Sequence, residues 1–332
     1  MGVAVKDDKL KIGIVGAGYL GTFHLEKYLT LDDVRVMGVS DVDPKVRDRI
    51  SEKYQVPCFS DHHDLLESVD AVSIVVPTNQ HYQISSDFLD AGKDVFVEKP
   101  FTTTLDEAQN LIEKAEAKGL ILQVGHLERF NPAIIALNDV LHMPMFIESH
   151  RLSPFSNRGA DVDVVLDLMI HDIDIILNIV KSNIVRIEAV GVPVITANVD
   201  IVNARLNFES GCIANITASR VSASKMRKIR IFQSDAYISI DYAAQNITVY
   251  RKVKDENKQV SIVREDINIS TSDNLAEEIR SFVGSVKTRT QPLVTGRDGK
   301  RALEVAMDIR ESLKTSLNRL RELDMIEEIP AL

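Results

Sequence analysis

The 332-residue sequence has no tryptophan, only two cysteines (Cys58 and Cys212), and just 5% aromatic residues. Each scarcity excludes something. Two cysteines outside any CxxC or Cys/His cluster leave no basis for a disulfide scaffold or a zinc ribbon. So few aromatics argue against the flat stacking platforms of a polysaccharide binder. Cationic residues are in the minority, with 39 Lys and Arg against 49 Asp and Glu and a formal charge of −10, which disfavours a nucleic-acid partner. Long apolar runs are missing too. Ile12–Val15 is too short for a secretion-signal core or a spanning helix, and no stretch of about 18 uninterrupted apolar residues occurs elsewhere. The expectation is a soluble cytoplasmic protein with no membrane partner. What is present is ordinary: 45% hydrophobic and 27% charged residues, with a length that suggests roughly two domains.

The first third alternates regularly. Apolar runs at Leu10–Val15, Val34–Ser40, Ala71–Val76, Val95–Val97 and Leu120–Val124 read as buried strands. Between them, Thr22–Thr30, Lys45–Tyr54, Gln80–Ala91 and Thr104–Lys118 read as helices, with Asp61 capping a short one at His62–Ser68. This spacing predicts βαβ units and a parallel sheet. After Gly125 the pattern changes. Pro132–Leu141 reads as helical, Met145–Arg151 as a strand and Val164–Val180 as one long amphipathic helix. Seven strand-like segments follow between Ile184 and Arg264, then helices at Leu275–Val286 and Gly299–Arg321. The expected architecture is an α/β Rossmann domain over 1–126 and an α+β domain with an open, mostly antiparallel sheet over 127–332.

The strongest local motif is Gly16-Ala17-Gly18-Tyr19-Leu20-Gly21, which follows a strand and opens a helix. Gly16 permits the tight turn, Gly18 lets the backbone approach a pyrophosphate, and Gly21 allows close helix–strand packing. Asp41 lies 20 residues after Gly21, where an acid accepts the ribose hydroxyls and repels a 2′-phosphate. No Arg directly follows it, and Arg47 lies a helical turn or more away. This favours NAD over NADP as cofactor. Two further segments fall at carboxyl ends of parallel strands, where ligands bind in such sheets. In Pro77-Thr78-Asn79-Gln80-His81, Asn79 is either a helix cap or a ligand contact. In Glu98-Lys99-Pro100, the proline biases Lys99 towards an extended conformation. Lys99 is then either a snorkelling surface lysine or a group exchanging a proton with a substrate hydroxyl.

Together with Asp167-x-x-x-His171-x-x-Asp174 and the late Val294–Gly299 segment, these motifs resemble the Gfo/Idh/MocA oxidoreductase family over nearly the whole chain. The resemblance implies bound NAD(P), a substrate site between a Rossmann domain and an open-sheet domain, and Lys99 near nicotinamide and substrate hydroxyl. In some relatives the peptide bond before that proline is cis. The resemblance assigns His171 as the general base and Asp167 as its orienting partner or a substrate ligand. On a regular helix Asp167, His171 and Asp174 share one face. A buried Asp–His pair and a metal site are the competing readings of this face, and the metal reading lacks a further ligand, so no metal is expected. Met169 stands where many relatives have Gly.

His126, at the end of the sixth strand, is expected near the nicotinamide, alongside Pro77, Thr78, Asn79, His81, Glu98 and Lys99. His24 faces the dinucleotide loop or the core, His62 and His63 read as solvated, and His142 and His150 carry no motif. The stretch Gly125–Ala133 resembles family members that act on nucleotide-linked amino sugars, oxidising C3 of UDP-N-acetylglucosamine to a 3-keto sugar that an aminotransferase then consumes. A UDP-sugar needs cations for its pyrophosphate. Arg129, Arg151 and Arg158 are candidates, with Asn131, Lys99, Asp167 and His171 completing the expected substrate set. Ser153–Arg158 reads as a loop bordering the sugar. The alternatives are another sugar, inositol or a UDP-uronic acid as substrate, an NAD-retaining glycoside hydrolase, and a non-enzymatic dinucleotide sensor. The antiparallel sheet face is expected to form a homodimer or homotetramer.

Overall fold

A computed structural model of the chain describes residues 9–155, 163–196, 198–254 and 259–326. By internal contact it divides into two compact units, one running to Leu127 and including Asp273–Lys300, the other comprising Glu128–Ser272 and the chain from Arg301.

The first unit is built on six parallel strands: β1 (Leu10–Val15), β2 (Val34–Ser40), β3 (Cys58–Phe59), β4 (Ala71–Ile74), β5 (Asp94–Glu98) and β6 (Leu122–Gly125). Their order is β3-β2-β1-β4-β5-β6, the arrangement of a dinucleotide-binding sheet. Every residue of β4 and β5 is buried, as expected for strands covered on both faces. Helices α1 (Tyr19–Leu29), α2 (Pro44–Tyr54), α3 (His81–Asp90) and α4 (Leu105–Lys118) supply the crossovers. Local chemistry sets their ends. The Asp43 carboxylate accepts the Lys45 N–H at the start of α2. Thr104 and Glu107 form a reciprocal capping box on α4, which stops at Gly119 in the left-handed region. Asp61 caps its short helix, which covers only His62–Leu65 and is 3₁₀.

In the second unit, α5 is only Pro132–Ile135, continued by a 3₁₀ turn over Ala136–Asp139, so the helix expected to reach Leu141 is broken. Eight strands follow: β7 (Phe146–Leu152), β8 (Ile184–Val192), β9 (Ile201–Phe208), β10 (Ile213–Ser219), β11 (Met226–Phe232), β12 (Ala236–Asp241), β13 (Asn246–Lys254) and β14 (Val260–Ile267). They pair in the order β14-β13-β12-β11-β7-β10-β9-β8, antiparallel except for β7 with β10. Burial alternates residue by residue along β7, β9 and β12, the period-two pattern of a sheet with one covered face. The covering helix α6 spans only Ile170–Ile179. Ahead of it, Val165–Met169 form a π turn in place of the first part of the expected Val164–Val180 helix. The Asp163 carboxylate starts this turn by accepting the N–H groups of Val165 (2.8 Å) and Leu166 (3.1 Å).

The last two helices are α7 (Asn274–Thr288) and α8 (Gly296–Glu322). Residues 273–300, expected in the second domain, pack instead into the core of the first unit. Ile279, Phe282, Val283 and Val286 join Ile14, Tyr28 and Phe96 there, and the Phe96 and Phe282 rings lie 5.6 Å apart. Arg289 adds an ion pair to buried Asp94 at 2.6 Å, and Thr295 bridges to Gln123 on β6. Residues Ala302, Val305, Ala306, Ile309, Leu313 and Leu317 of α8 recur at helical spacing and belong to the core of the second unit. No helix among the described residues is long and apolar enough to cross a membrane.

Candidate active site

The turn after β1 has the geometry of a phosphate cradle. Gly16 has φ +86°, and a Cβ there would come 2.4 Å from the Val75 carbonyl oxygen. A Cβ on Gly21 would lie 1.9 Å from the Gly16 oxygen, whereas one on Gly18 would meet nothing within 4 Å. Two of the three glycines are therefore required by the fold, and the third leaves open space where α1 begins. Ala17 is buried and Tyr19 is exposed, its ring set edge-on against Phe23. Leu20 is half-buried in the first turn of α1. The Asp41 carboxylate ties this turn to β2, accepting the Ala17 N–H at 2.7 Å and the Asp43 N–H at 2.9 Å. A cavity of about 580 Å³ lies over the turn, lined among others by Gly16, Gly18, Asp41, His62, Val76 and Pro77. Its size, glycine floor and acid at the ribose position fit a dinucleotide.

Thr78 and Asn79 form a 3₁₀ turn after Pro77. The residue capping α3 is Gln80, without a side-chain bond, so Asn79 is not the cap. His81, expected at the cofactor, turns inward. Its Nδ1 lies 2.8 Å from the Pro100 oxygen and its Nε2 2.9 Å from the Val76 oxygen, so the imidazole links the loops that follow β4 and β5. Burial holds its pKa below the ordinary histidine value, against the opposing effect of the two carbonyls. Glu98 also faces inward, with Oε1 3.1 Å from His24 Nε2 and Oε2 accepting the Lys99 N–H at 3.3 Å. Lys99 itself is half-buried at the end of β5, and the Lys99–Pro100 bond is cis. His126 is buried just after β6.

In the second unit the π turn and α6 carry Asp167 and His171, both half-buried, and buried Asp174. The π turn adds a residue to the helical repeat, so Asp167 is rotated from the position that a regular α-helix gives it. π turns of this kind concentrate at functional sites.

Two of the expected pyrophosphate and sugar ligands are engaged elsewhere. Arg151 is only 3% exposed. Its Nε donates to Asp172 at 2.5 Å and its Nη1 to Glu128 at 3.1 Å, while the guanidinium lies over the Tyr242 ring. Asn131 is fully buried, accepting the Ala133 N–H as the cap of α5 and donating to the Tyr242 carbonyl. Arg129 is buried with Nε 3.9 Å from Asp174. Arg158 lies outside the described residues. Glu128 and Asp172, the partners of Arg151, are not among the residues expected from the sequence. A signal existed: Asp172 is a buried acid in a largely apolar helix, which requires a partner.

Comparison with known proteins agrees with this geometry. The family described as oxidoreductase, NAD-binding Rossmann fold, matches residues 10–126, and the Gfo/Idh/MocA C-terminal domain matches residues 139–239. Over 312 residues the chain is 33% identical to UDP-N-acetylglucosamine 3-dehydrogenase of Acidithiobacillus ferrooxidans, covering 93% of this chain and 99% of that protein. The chain belongs to the Gfo/Idh/MocA oxidoreductase family. A solved structure of the Acidithiobacillus enzyme superposes with a TM-score of 0.87. Another relative, myo-inositol 2-dehydrogenase of Thermotoga maritima, is 27% identical over 92% of this chain and 96% of its own length. A scyllo-inositol dehydrogenase from Lactobacillus casei, solved with NAD(H) and scyllo-inositol, is 24% identical over 92% of this chain and 97% of its own, with a TM-score of 0.78, and shares the fold. As a family member this chain is an oxidoreductase with an NAD-binding Rossmann domain.

Proposed function

We propose that this chain oxidises a sugar hydroxyl with NAD, and that its substrate is UDP-N-acetylglucosamine, oxidised at C3 to the 3-keto sugar. The observation that carries the reading is the near-full-length identity to the Acidithiobacillus enzyme. Gly16, Ala17, Gly18, Tyr19, Leu20, Gly21, Asp41 and Pro77 hold the cofactor, with Thr78, Asn79 and His126 as further contacts. NAD supplies the acceptor for the hydride that leaves the carbinol carbon. His171 receives the hydroxyl proton. Its Nδ1 is buried, which leaves Nε2 as the receiving atom, and imidazole is the side chain that most often serves as a general base. The Lys99 ammonium donates to the same oxygen and favours its loss of a proton. Asp167 orients the imidazole or holds a neighbouring hydroxyl.

The decisive experiment is to follow NADH absorbance on mixing the protein with UDP-N-acetylglucosamine and NAD⁺. Appearance of NADH is expected. No NADH, even with an aminotransferase draining the 3-keto product, sinks this substrate. NADH from myo-inositol instead supports the second reading, which the Thermotoga relative favours. Free sugar without net NADH points to hydrolysis. Lys99→Ala and His171→Ala are each expected to abolish turnover and retain NAD binding.

The same reading includes an aminotransferase as consumer of the product and a cytoplasmic location, which the free thiols Cys58 and Cys212 fit. It also includes a homodimer or homotetramer, for which the apolar Val260 and Ile262 exposed on β14 are suited. Light scattering at the monomer mass counts against the oligomer.

A further inference from the structure

A row of buried polar groups ends at Lys99, and the chemistry above does not use it. Tyr28, Ser73 and His24 are wholly buried and Glu98 nearly so. The Tyr28 hydroxyl lies 2.9 Å from Ser73 Oγ, which lies 3.3 Å from His24 Nδ1. His24 Nε2 is 3.1 Å from Glu98 Oε1, and Glu98 Oε2 accepts the Lys99 N–H at 3.3 Å.

With a neutral imidazole, one arrangement of protons satisfies every contact. The Glu98 carboxylate only accepts, so His24 carries its proton on Nε2. The Nδ1 lone pair then takes the Ser73 hydroxyl proton, and Ser73 Oγ receives the Tyr28 hydroxyl. Burial raises the pKa of Tyr28, which keeps the phenol protonated and able to donate. The bonds run in one direction, from Tyr28 on α1 through Ser73 on β4 and His24 on α1 to Glu98 on β5. Such a fully satisfied buried row is stiff, because each member has one geometry available. The carboxylate is also confined from β6: a Cβ on Gly125 would come 2.8 Å from Glu98 Cδ.

We propose that Tyr28, Ser73, His24 and Glu98 are positioning residues for Lys99: the row fixes the Glu98 carboxylate, and Glu98 fixes the backbone from which Lys99 projects. This rests on the reading of Lys99 as the group that meets the substrate hydroxyl. None of the four is assigned to the substrate. Their effect is on alignment, which weighs on turnover far more than on cofactor affinity.

The test compares His24→Phe, which keeps the bulk and loses the donor, with His24→Gln, which keeps an N–H near the Nε2 position. Ser73→Ala is the milder interruption should His24→Phe fold poorly. For each folded variant, kcat, KM and NADH affinity are measured, together with amide hydrogen exchange at Lys99. His24→Phe and Ser73→Ala are expected to lower kcat about tenfold or more with NADH affinity unchanged, and to speed exchange at the Lys99 amide. His24→Gln is expected to recover most of both. Wild-type kcat and unchanged Lys99 exchange in His24→Phe or Ser73→Ala overturn the proposal, as does a loss of turnover matched by an equal loss of NADH affinity. Lys99→Met separates the two ideas. Normal turnover in that variant refutes the role of Lys99, while amide exchange in the His24 and Ser73 variants still decides whether the row fixes its backbone.

Discussion

Arg151 and Asp172 form a buried ion pair, Nε to Oδ2 at 2.5 Å, next in sequence to His171. Ser149 donates to the other Asp172 oxygen at 2.7 Å, and Glu128 takes a second edge of the guanidinium. Burial opposes the arginine's charge, but Asp172 and Glu128 outweigh it and hold the pKa above the ordinary arginine value. Arg151→Met is expected to destabilise by about 3–5 kcal/mol, because it strands two buried carboxylates. Urea unfolding at neutral pH measures this. A loss below about 1 kcal/mol would mean that water or a rearranged side chain satisfies both acids.

The glycine turn separates folding from binding. Gly18→Ala adds a methyl where no protein atom stands within 4 Å, so its thermal midpoint should match wild type while NAD affinity drops about tenfold or more, because the methyl occupies the backbone's approach to the pyrophosphate. Gly21→Ala adds one 1.9 Å from the Gly16 carbonyl oxygen, so it should lose several degrees of stability first. Calorimetry paired with NADH fluorescence titration distinguishes the two. Equal stability losses in both variants would count against this division.

Much of the first unit is legible because its signals are local. The apolar run Leu10–Val15 is a strand with the same limits in sequence and structure, and the glycine pattern needs only its neighbours to be read. The departures have non-local or fine-grained causes. Cys58–Phe59 is a two-residue strand, too short to show a period. The π turn at Val165–Met169 differs from α-helix by one step in hydrogen-bond register, which leaves the apolar pattern almost unchanged. Residues 273–300 join the first core through Phe282, whose partner Phe96 is remote in the chain. In the candidate site, sequence marks Arg151 as a cation near the expected pocket but does not show which acids it faces. Once Glu128 and Asp172 face it, it is a clamp of the fold.

Asp200 is a carboxylate whose contribution to stability should depend on pH. One of its oxygens accepts the N–H groups of Val194 (2.9 Å), Ile195 (2.7 Å) and Thr196 (2.9 Å), and the other takes the Thr196 hydroxyl at 2.8 Å. Burial pushes its pKa up, but these donors together hold it below the ordinary aspartate value. The folded pKa therefore lies below the unfolded one, near 3.9. The stabilisation is complete above the unfolded value and fades as pH falls through the folded one. Asp200→Asn is expected to cost about 1–3 kcal/mol at pH 7, with the gap from wild type narrowing below about pH 4. Denaturant unfolding across pH 3–7 tests this, and a gap independent of pH refutes the ionic account.

Asp41 should set the choice between NAD and NADP. Its carboxylate repels a 2′-phosphate, yet a cation stands beside it: Arg47 Nη1 donates to the Asp41 carbonyl at 2.7 Å and the Val42 carbonyl at 3.0 Å. Asp41→Ser removes the acid and leaves that guanidinium available to a phosphate. The ratio of kcat/KM for NADP to that for NAD should rise at least about tenfold, equivalent to about 1.4 kcal/mol. Absolute NAD affinity should fall as well, because the Ala17 N–H loses its acceptor. The double variant Asp41→Ser with Arg47→Ala should forfeit most of the gain in NADP use. If the ratio stays at its wild-type value in the single variant, Asp41 serves the glycine turn alone and the cofactor preference comes from other residues around the cavity.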